Sequence, residues 1–447
     1  MAERPLDLVV RDRAQTGMKI THLNNSFLMI EGGGTKLLCD PWAGTANEGG
    51  WRSFPEFDPE VLYAFMVDCD AVYISHLHAD HFDPALLRAA GLVDKPFIIK
   101  DFQNKTLLKR IKALGVETVI EVPALHVTIF KNLQFAIVPQ MTSNNAALDD
   151  EIDYDLDTSI IVHADGQTFF NQVDNPLSLA NYTAVKAFIT ATFGDLDCVC
   201  LATGAASPYP QSFIACDRDA EQAAVITRSL DKFSAIIDIL QPRTYFPAGG
   251  TYIIPGRFAP LNRWIAQPDF ATLKSTLNDR AQAFALEGGQ TLNLDRLSIS
   301  PALSPGQVDR DTAVRTHAAD TYTHDSFDDS GISDRELDDL FARAYANYSR
   351  KMTEDKVTIA QSVAFVLYDR LSVDDKGHIS SVPCGGYRFA DHVVPGMDMI
   401  FHLDRRLFVK GLTRAANWNQ LLSLALFERR PNAFHPTVEF SLNYLTS

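Results

Sequence analysis

Three imidazoles and a carboxylate fall within the six-residue run His76-Leu77-His78-Ala79-Asp80-His81, and its flanks fix where that run must lie. Ahead of it, Ala71-Val72-Tyr73-Ile74-Ser75 is an apolar strand-like stretch; behind it, Asp83 is placed to cap a helix beginning at Pro84. The run therefore converts a strand into a helix. With extended alternation at the strand end, His76, His78 and Asp80 share one side and His81 follows at the turn. A lone buried histidine is more often structural than ligating, but this concentration of nitrogen and oxygen donors reads as a metal site with room for two neighbouring ions. Imidazole and carboxylate suit zinc, iron and manganese alike.

The chain has 447 residues, which suggests two or three domains, and its 46% hydrophobic and 21% charged residues are those of a globular protein. A formal charge of -16 argues against nucleic acid or an anionic membrane as the main partner and leaves a small-molecule substrate as the expected one. The six cysteines, at 39, 69, 198, 200, 216 and 384, show no disulfide-like framework, so a reducing compartment is expected. Cys198 and Cys200 read as members of a buried strand rather than a metal pair. The N-terminus is polar rather than signal-like and no stretch approaches the ~18 apolar residues of a membrane span, which points to the cytoplasm. Whether the chain forms oligomers is left open.

Strand-like runs at residues 19–23, 26–30 and 35–39 open the chain, the last two joined as a hairpin by Glu31-Gly32-Gly33-Gly34. Residues 105–114 carry helical spacing, with Gly115 placed to end the helix, and strands follow at 135–138, 158–162 and 168–171. From 303 to 333 the sequence turns rich in Ser, Asp, Thr and Gly and reads as a linker. It divides a metal-binding domain at 1–302 from an α+β domain at 334–447, in which 335–350 and 419–427 are expected helical and 361–368 a strand.

A site for two metals calls for a bridging carboxylate, and Asp174, ending a hairpin strand, is the candidate, against the plainer role of a turn aspartate before Asn175-Pro176. His76 to His81, the Asp40-Pro41 dipeptide after a strand, and Asp174 together resemble the metallo-β-lactamase superfamily. The resemblance implies an α/β fold, an αββα sandwich here followed by the smaller C-terminal α+β domain. Runs such as Cys39-Asp40-Pro41-Trp42, Asn171-Gln172-Val173-Asp174-Asn175-Pro176 and Gln241-Pro242-Arg243-Thr244-Tyr245-Phe246-Pro247 resemble a narrower group, the catalytic region of CMP-N-acetylneuraminate hydroxylase.

Hydrolases of the superfamily usually add a histidine before the bridging aspartate and another in a late Pro-x-His turn. Here those regions read Pro139-Gln140-Met141-Thr142-Ser143-Asn144-Asn145 and Pro247-Ala248-Gly249. His126 and His163 are the nearest substitutes. Within the acidic run 149–157, Asp157 is the residue chosen to lend a carboxylate, the others reading as a solvated loop. The expected ligands are thus His76, His78, Asp80, His81, Asp174 and Asp157. Asp80 and Asp40 are the carboxylates assigned to the chemistry, Asp40 by orienting a histidine.

The hydroxylase resemblance also implies a Rieske iron–sulfur module, whose paired Cys-x-His and Cys-x-x-His ligands are absent from this sequence. Electrons for an oxygenase would then come from a separate electron-transfer protein or from the substrate. With fewer histidines and more carboxylates, iron is favoured over zinc and a di-iron oxygenase over its alternatives, a dinuclear zinc hydrolase or a metal-binding protein without turnover. Tyr209, Tyr245, Tyr252 and Arg257, with Arg263, are the candidates to stack on and pair with a polar or nucleotide-sugar-like substrate.

Overall fold

The hairpin near the N-terminus seeds the first sheet: Phe27–Gly32 and Thr35–Cys39 pair antiparallel, with Leu28 opposite Cys39 and Gly32 opposite Thr35. The computed structural model describes residues 17–141, 157–175, 177–204, 207–304, 308–359, 362–389, 398–429, 438 and 441–447. Lys19–Asn24 flanks the hairpin on one side, and on the other Ala71–Tyr73, Phe97–Lys100 and Val119–Val122 continue the sheet in parallel. In the second sheet Leu133–Pro139, Thr158–Ala164 and Gln167–Asn171 run antiparallel, and Cys198–Ala202 and Thr244–Ala248 extend it in parallel.

Side-chain alternation sorts these strands into layers. Along Thr35–Cys39, Leu37 and Cys39 join Ile137, Ile160, Phe169 and Phe246 in a core between the two sheets. Leu38 points the other way, onto Leu62, Met66, Leu87 and Ile111 of three helices. The second sheet turns Ile161, Phe170, Val199 and Tyr245 onto the helices Leu179–Thr192 and Arg218–Leu240. The result is helix, sheet, sheet, helix: the αββα sandwich of the metallo-β-lactamase fold. Each fully buried leucine or phenylalanine in these layers contributes about 1.5–3 kcal/mol. Cys198 and Cys200 lie buried in this sheet, and all six cysteines are free.

The helix Thr106–Ala113 ends near Gly115, whose φ of 97° suits glycine at a helix terminus. The helix Asp334–Glu354 opens with a reciprocal cap: the Glu336 N–H donates to Ser333 Oγ, and the Ser333 N–H to Glu336 Oε2. It covers a sheet of Pro383–Arg388, Ser362–Tyr368, Asp398–Asp404 and Leu426–Arg429. The helix expected over 419–427 is shorter: an α-helical turn at Trp418–Leu421 runs into a 3-10 turn at Leu422–Leu424, and the last strand takes over at Leu426. Phe427 opposite Phe401 in an antiparallel pair explains why: its apolar residues are sheet core rather than a helix face.

The stretch 303–333, expected to be a linker, is ordered across its described part. Asp309 caps a helix at Arg310–Thr316, and Tyr322 and His324 are buried. Its polar residues act as caps and turn formers rather than as a solvated tether. Trp42, Tyr252, Phe258 and Trp264 share one apolar core with Leu337, Phe365 and Phe401, so residues 1–302 and 334–447, proposed as domains, meet across it. No helix among the described residues is long and apolar enough to cross a membrane.

Candidate metal centre

The parallel strand Ala71–Tyr73 delivers the histidine run to one rim of the sandwich. Beyond it the chain turns rather than alternating. The His81 and Phe82 N–H groups both donate to the His78 carbonyl, at 3.1 and 2.9 Å, and Asp83 then caps the helix at Pro84 with bonds from the Ala85 and Leu86 N–H groups. This tight turn brings the three imidazoles together: the His76 ring centroid lies 4.1 Å from that of His81 and 4.5 Å from that of His78. Asp80 reaches the cluster on the His81 side, its Oδ2 3.5 Å from His81 Nε2 and accepting a bond from Asn25 Nδ2 at 3.0 Å. The expected shared side for His76, His78 and Asp80 is thus replaced by a turn in which the histidines converge.

Asp40 sits at the end of the neighbouring strand, fully buried. One of its oxygens accepts from the Ser75 N–H and the other from Ser75 Oγ, both at 2.7 Å, and the second also lies 3.1 Å from His81 Nδ1. With Nδ1–H donated to Asp40, the lone pair of His81 Nε2 faces Asp174 Oδ2 at 3.1 Å. Asp174 arrives from the second sheet, just past Gln167–Asn171, through a turn in which Val173 takes a φ of 57°. Asp157, immediately before Thr158–Ala164, puts Oδ1 3.7 Å from His76 Nε2, which is itself 2.8 Å from His78 Nδ1.

Two donor groups result, His76, His78 and Asp157, and His76, His81 and Asp174, each with ligand atoms within 4.8 Å of one another. Asp174 thus lies with His81 and Asp80, while Asp157 takes the place beside His78. These groups fit a metal. Lone pairs of imidazole nitrogen and carboxylate oxygen point at one another in a site where His76 and His81 are buried, Asp157 and Asp174 half-buried and only His78 exposed, an arrangement that a cation or a proton must relieve. Burial alone would lower the His81 pKa, but Asp174, Asp80 and Asp40 hold it well above the usual imidazole range. Burial, with the neighbouring His81 and His78, pushes His76 well down. Burial also raises Asp157 to about 6, against the pull of His78 and with the help of Asp174.

Of the other candidates, Tyr252 lies beside this rim. It stacks on Trp51 at 4.5 Å, its hydroxyl is buried with no hydrogen-bond partner among the described residues, and burial and the charge of Asp80 raise its pKa. Tyr245 is elsewhere: it faces the outer helices, 5.0 Å from Phe233, because the alternation of its strand turns Phe246 rather than Tyr245 inward. Arg257 is fully committed, bonding Asp325 at 2.8 Å, His324 at 3.1 Å, the Leu371 carbonyl at 2.7 Å, and Asp404. Tyr209 donates to Glu221 and Arg263 lies over Trp264 at 4.4 Å. His126 is exposed, and His163 bonds Thr168 and stacks on Phe193. Residues 149–156 of the acidic run lie outside the described residues. Sequence reasoning missed Ser75 and Asn25; the first directly precedes the motif, while the second carries only the signal of a hairpin turn.

Residues 19–152 match the family model described as "Beta-lactamase superfamily domain". Over those residues the chain is similar to β-lactamase-superfamily domains. Among curated proteins, this chain is 25% identical over 309 residues to the cytidine monophosphate-N-acetylneuraminic acid hydroxylase of Macaca mulatta, covering 65% of this chain and 48% of that protein. It is 26% identical over 279 residues to a Mycobacterium tuberculosis protein named as a Rieske 2Fe-2S iron–sulfur protein, covering 60% and 48%. The chain spans about half the length of the curated relatives it matches. Among solved structures, CmlA, a diiron β-hydroxylase from Streptomyces venezuelae, is 16% identical with a TM-score of 0.41, covering 63% of this chain and 55% of that one. A possible metal-dependent hydrolase from Veillonella parvula is 14% identical with a TM-score of 0.45, covering 62% and 99%. Both likenesses are too loose to bear on the chemistry of this site, which its own donors must decide.

Proposed function

We propose that the chain is a metal-dependent oxidoreductase of the monooxygenase kind, hydroxylating a small polar or nucleotide-sugar-like metabolite at a pair of iron ions. The observation that carries this reading is the donor set. Three aspartates, at 80, 157 and 174, stand around three histidines, and Gly249 occupies the late turn where a hydrolase-like site would place a further imidazole. His76, His78 and Asp157 would hold one ion, and His81, Asp174 and Asp80 the other, with His76 within reach of both. Iron held there would supply the activation of dioxygen.

The chain's own residues do the rest. Asp40 and Ser75 fix the tautomer and tilt of His81 and His76, since Ser75 Oγ is also 2.9 Å from His76 Nδ1. Tyr252 offers a buried hydroxyl, without a partner among the described residues, to a substrate oxygen beside Asp80. Trp51, stacked on Tyr252, helps to keep water from the reacting atoms. Identity to a sialic-acid hydroxylase favours oxidation, and a relative named for a Rieske group makes a separate iron–sulfur protein the class of electron donor to test.

The second reading, a dinuclear zinc hydrolase of an ester, lactone, amide or phosphodiester, is favoured by the close imidazole pair His76 and His78 within a β-lactamase-superfamily domain. Elemental analysis of protein purified without added metal separates the two. Iron with substrate-dependent oxygen uptake is expected. Zinc alone, persisting after growth in iron-supplemented medium and accompanied by hydrolysis of simple esters or phosphodiesters, would establish the hydrolase. Neither metal would leave a chain without turnover.

A further inference from the structure

We infer that Asn25 is a positioning residue of the metal centre, holding the Asp80 carboxylate in its working orientation through a side-chain amide whose own backbone both sheets clamp. This role rests on the reading of His76 to His81 and Asp174 as metal ligands.

Asn25 occupies the turn between Lys19–Asn24 and Phe27–Gly32, with a φ of 38°. Hairpin turns usually lie in solvent, and asparagine is common in them because it tolerates positive φ. That accounts for the backbone alone. This turn is buried: Asn25 is 2% exposed and Asp80 3%. Every polar group of Asn25's backbone is also engaged. Its N–H donates to Thr251 Oγ1, and its carbonyl accepts from the Gly249 N–H at 3.3 Å and lies 3.0 Å from His22 Nε2. His22 is anchored in turn by the Leu286 carbonyl, 3.1 Å from Nδ1. The first sheet thus grips the turn through His22, and the loop after Thr244–Ala248 of the second sheet grips it through Gly249 and Thr251.

What the clamped turn presents to the rim is one amide N–H, directed at Asp80 Oδ2 at 3.0 Å. The same oxygen lies 3.5 Å from His81 Nε2, so this bond fixes the rotation of the carboxylate relative to the ligand cluster. The chemistry of the donor matters. A lysine or arginine in this place would neutralise Asp80, whereas an uncharged amide orients the carboxylate and leaves its negative charge available to a cation.

The test is a competition titration of zinc(II) against a chromophoric chelator, using the metal-stripped full chain. Asn25→Gly keeps the backbone freedom of the turn and removes only the amide. It is expected to fold, by circular dichroism, and to bind zinc 10- to 100-fold more weakly at one site. Asn25→Ser, a polar turn former too short to reach Asp80, carries the same expectation if the glycine variant does not fold. In an Asp80→Asn background, Asn25→Gly should change zinc affinity less than about twofold, because the two residues act through one bond. A purely structural role would lower stability and leave this coupling at zero. Wild-type affinity in both Asn25 variants, or losses that add in the double variant, overturns the inference. Absence of zinc uptake by the unmutated chain would sink the metal centre and this role together, whereas tight uptake that the Asn25 variants leave unchanged overturns the Asn25 role alone.

Discussion

Asp40 Oδ2 lies 3.1 Å from His81 Nδ1 with both side chains fully buried, so a carboxylate that reaches no donor group itself sets which nitrogen of His81 faces Asp174. Asp40→Asn tests this. Asparagine tolerates the φ of 45° at position 40, so the turn survives while the charge goes. Without the carboxylate, His81 is free to carry its proton on Nε2 and present no lone pair to a metal. Metal affinity should fall about 10- to 100-fold, read by chelator competition, with circular dichroism unchanged. Undiminished affinity would show that the tautomer is set elsewhere.

Deleting a ligand should be more severe than disorienting one. His76→Ala removes the nitrogen shared by both donor groups, and Asp174→Ala the carboxylate opposite His81, so each variant should emerge from purification with little bound metal and no activity while still folding. His163→Ala is the control, since its partners are Thr168 on the second sheet and Phe193 at the end of the helix Leu179–Thr192. Full metal content in Asp174→Ala would place the bridge at another carboxylate.

The legible parts of this chain are those where local chemistry and tertiary demand coincide. Asp83 and Pro84 announce a helix start that the structure uses, and residues 26–39 announce a hairpin. Period two does not say which sheet face meets a partner, so Tyr245, which looks available in sequence, is packed against Phe233 while Phe246 faces the inter-sheet core. Arg257 shows a second limit. Its acidic partner Asp404 lies 147 residues away, and nothing local distinguishes an arginine held by such a partner from one awaiting a substrate. Asn25 shows a third: the turn residue the hairpin needs is also the donor that Asp80 needs, and the sequence records only the first need.

Removing Arg257 should destabilise the protein rather than impair substrate binding. The guanidinium, only 10% exposed, neutralises Asp404 and Asp325 where the C-terminal sheet meets the first unit. Arg257→Met leaves the buried Asp404 and the half-buried Asp325 without their shared counter-ion, a loss of about 3–5 kcal/mol in urea unfolding. Burial tends to raise the Asp325 pKa, but Arg257 and the Tyr322 N–H outweigh it and hold the group below its ordinary value. A depressed carboxylate stabilises the fold above the ordinary range, near pH 4, and that contribution disappears as pH falls through the lowered value. Melting temperatures of the parent should therefore drop in that acidic window, and those of the Met variant should drop less. A parent and variant with superimposable pH profiles would remove Asp325 from the account.

Gly249 explains why a histidine cannot simply be restored to the late turn. Its φ is 77°, and a Cβ there would lie 3.4 Å from Ala202 Cβ, an ordinary contact, so the obstacle is backbone conformation rather than space. A side chain in the left-handed region costs about 1–2 kcal/mol, and relaxing it would pull the Gly249 N–H from the Asn25 carbonyl that it meets at 3.3 Å. Gly249→Ala should thus lower stability by about that amount in urea unfolding. Gly249→His should lose at least as much, without raising zinc affinity, because a Cβ at this position faces Ala202 and the backbone is held by the Asn25 carbonyl. A histidine variant as stable as the parent and binding zinc more tightly would show that the rim accepts a fourth imidazole, and would move the balance back toward a hydrolase-like centre.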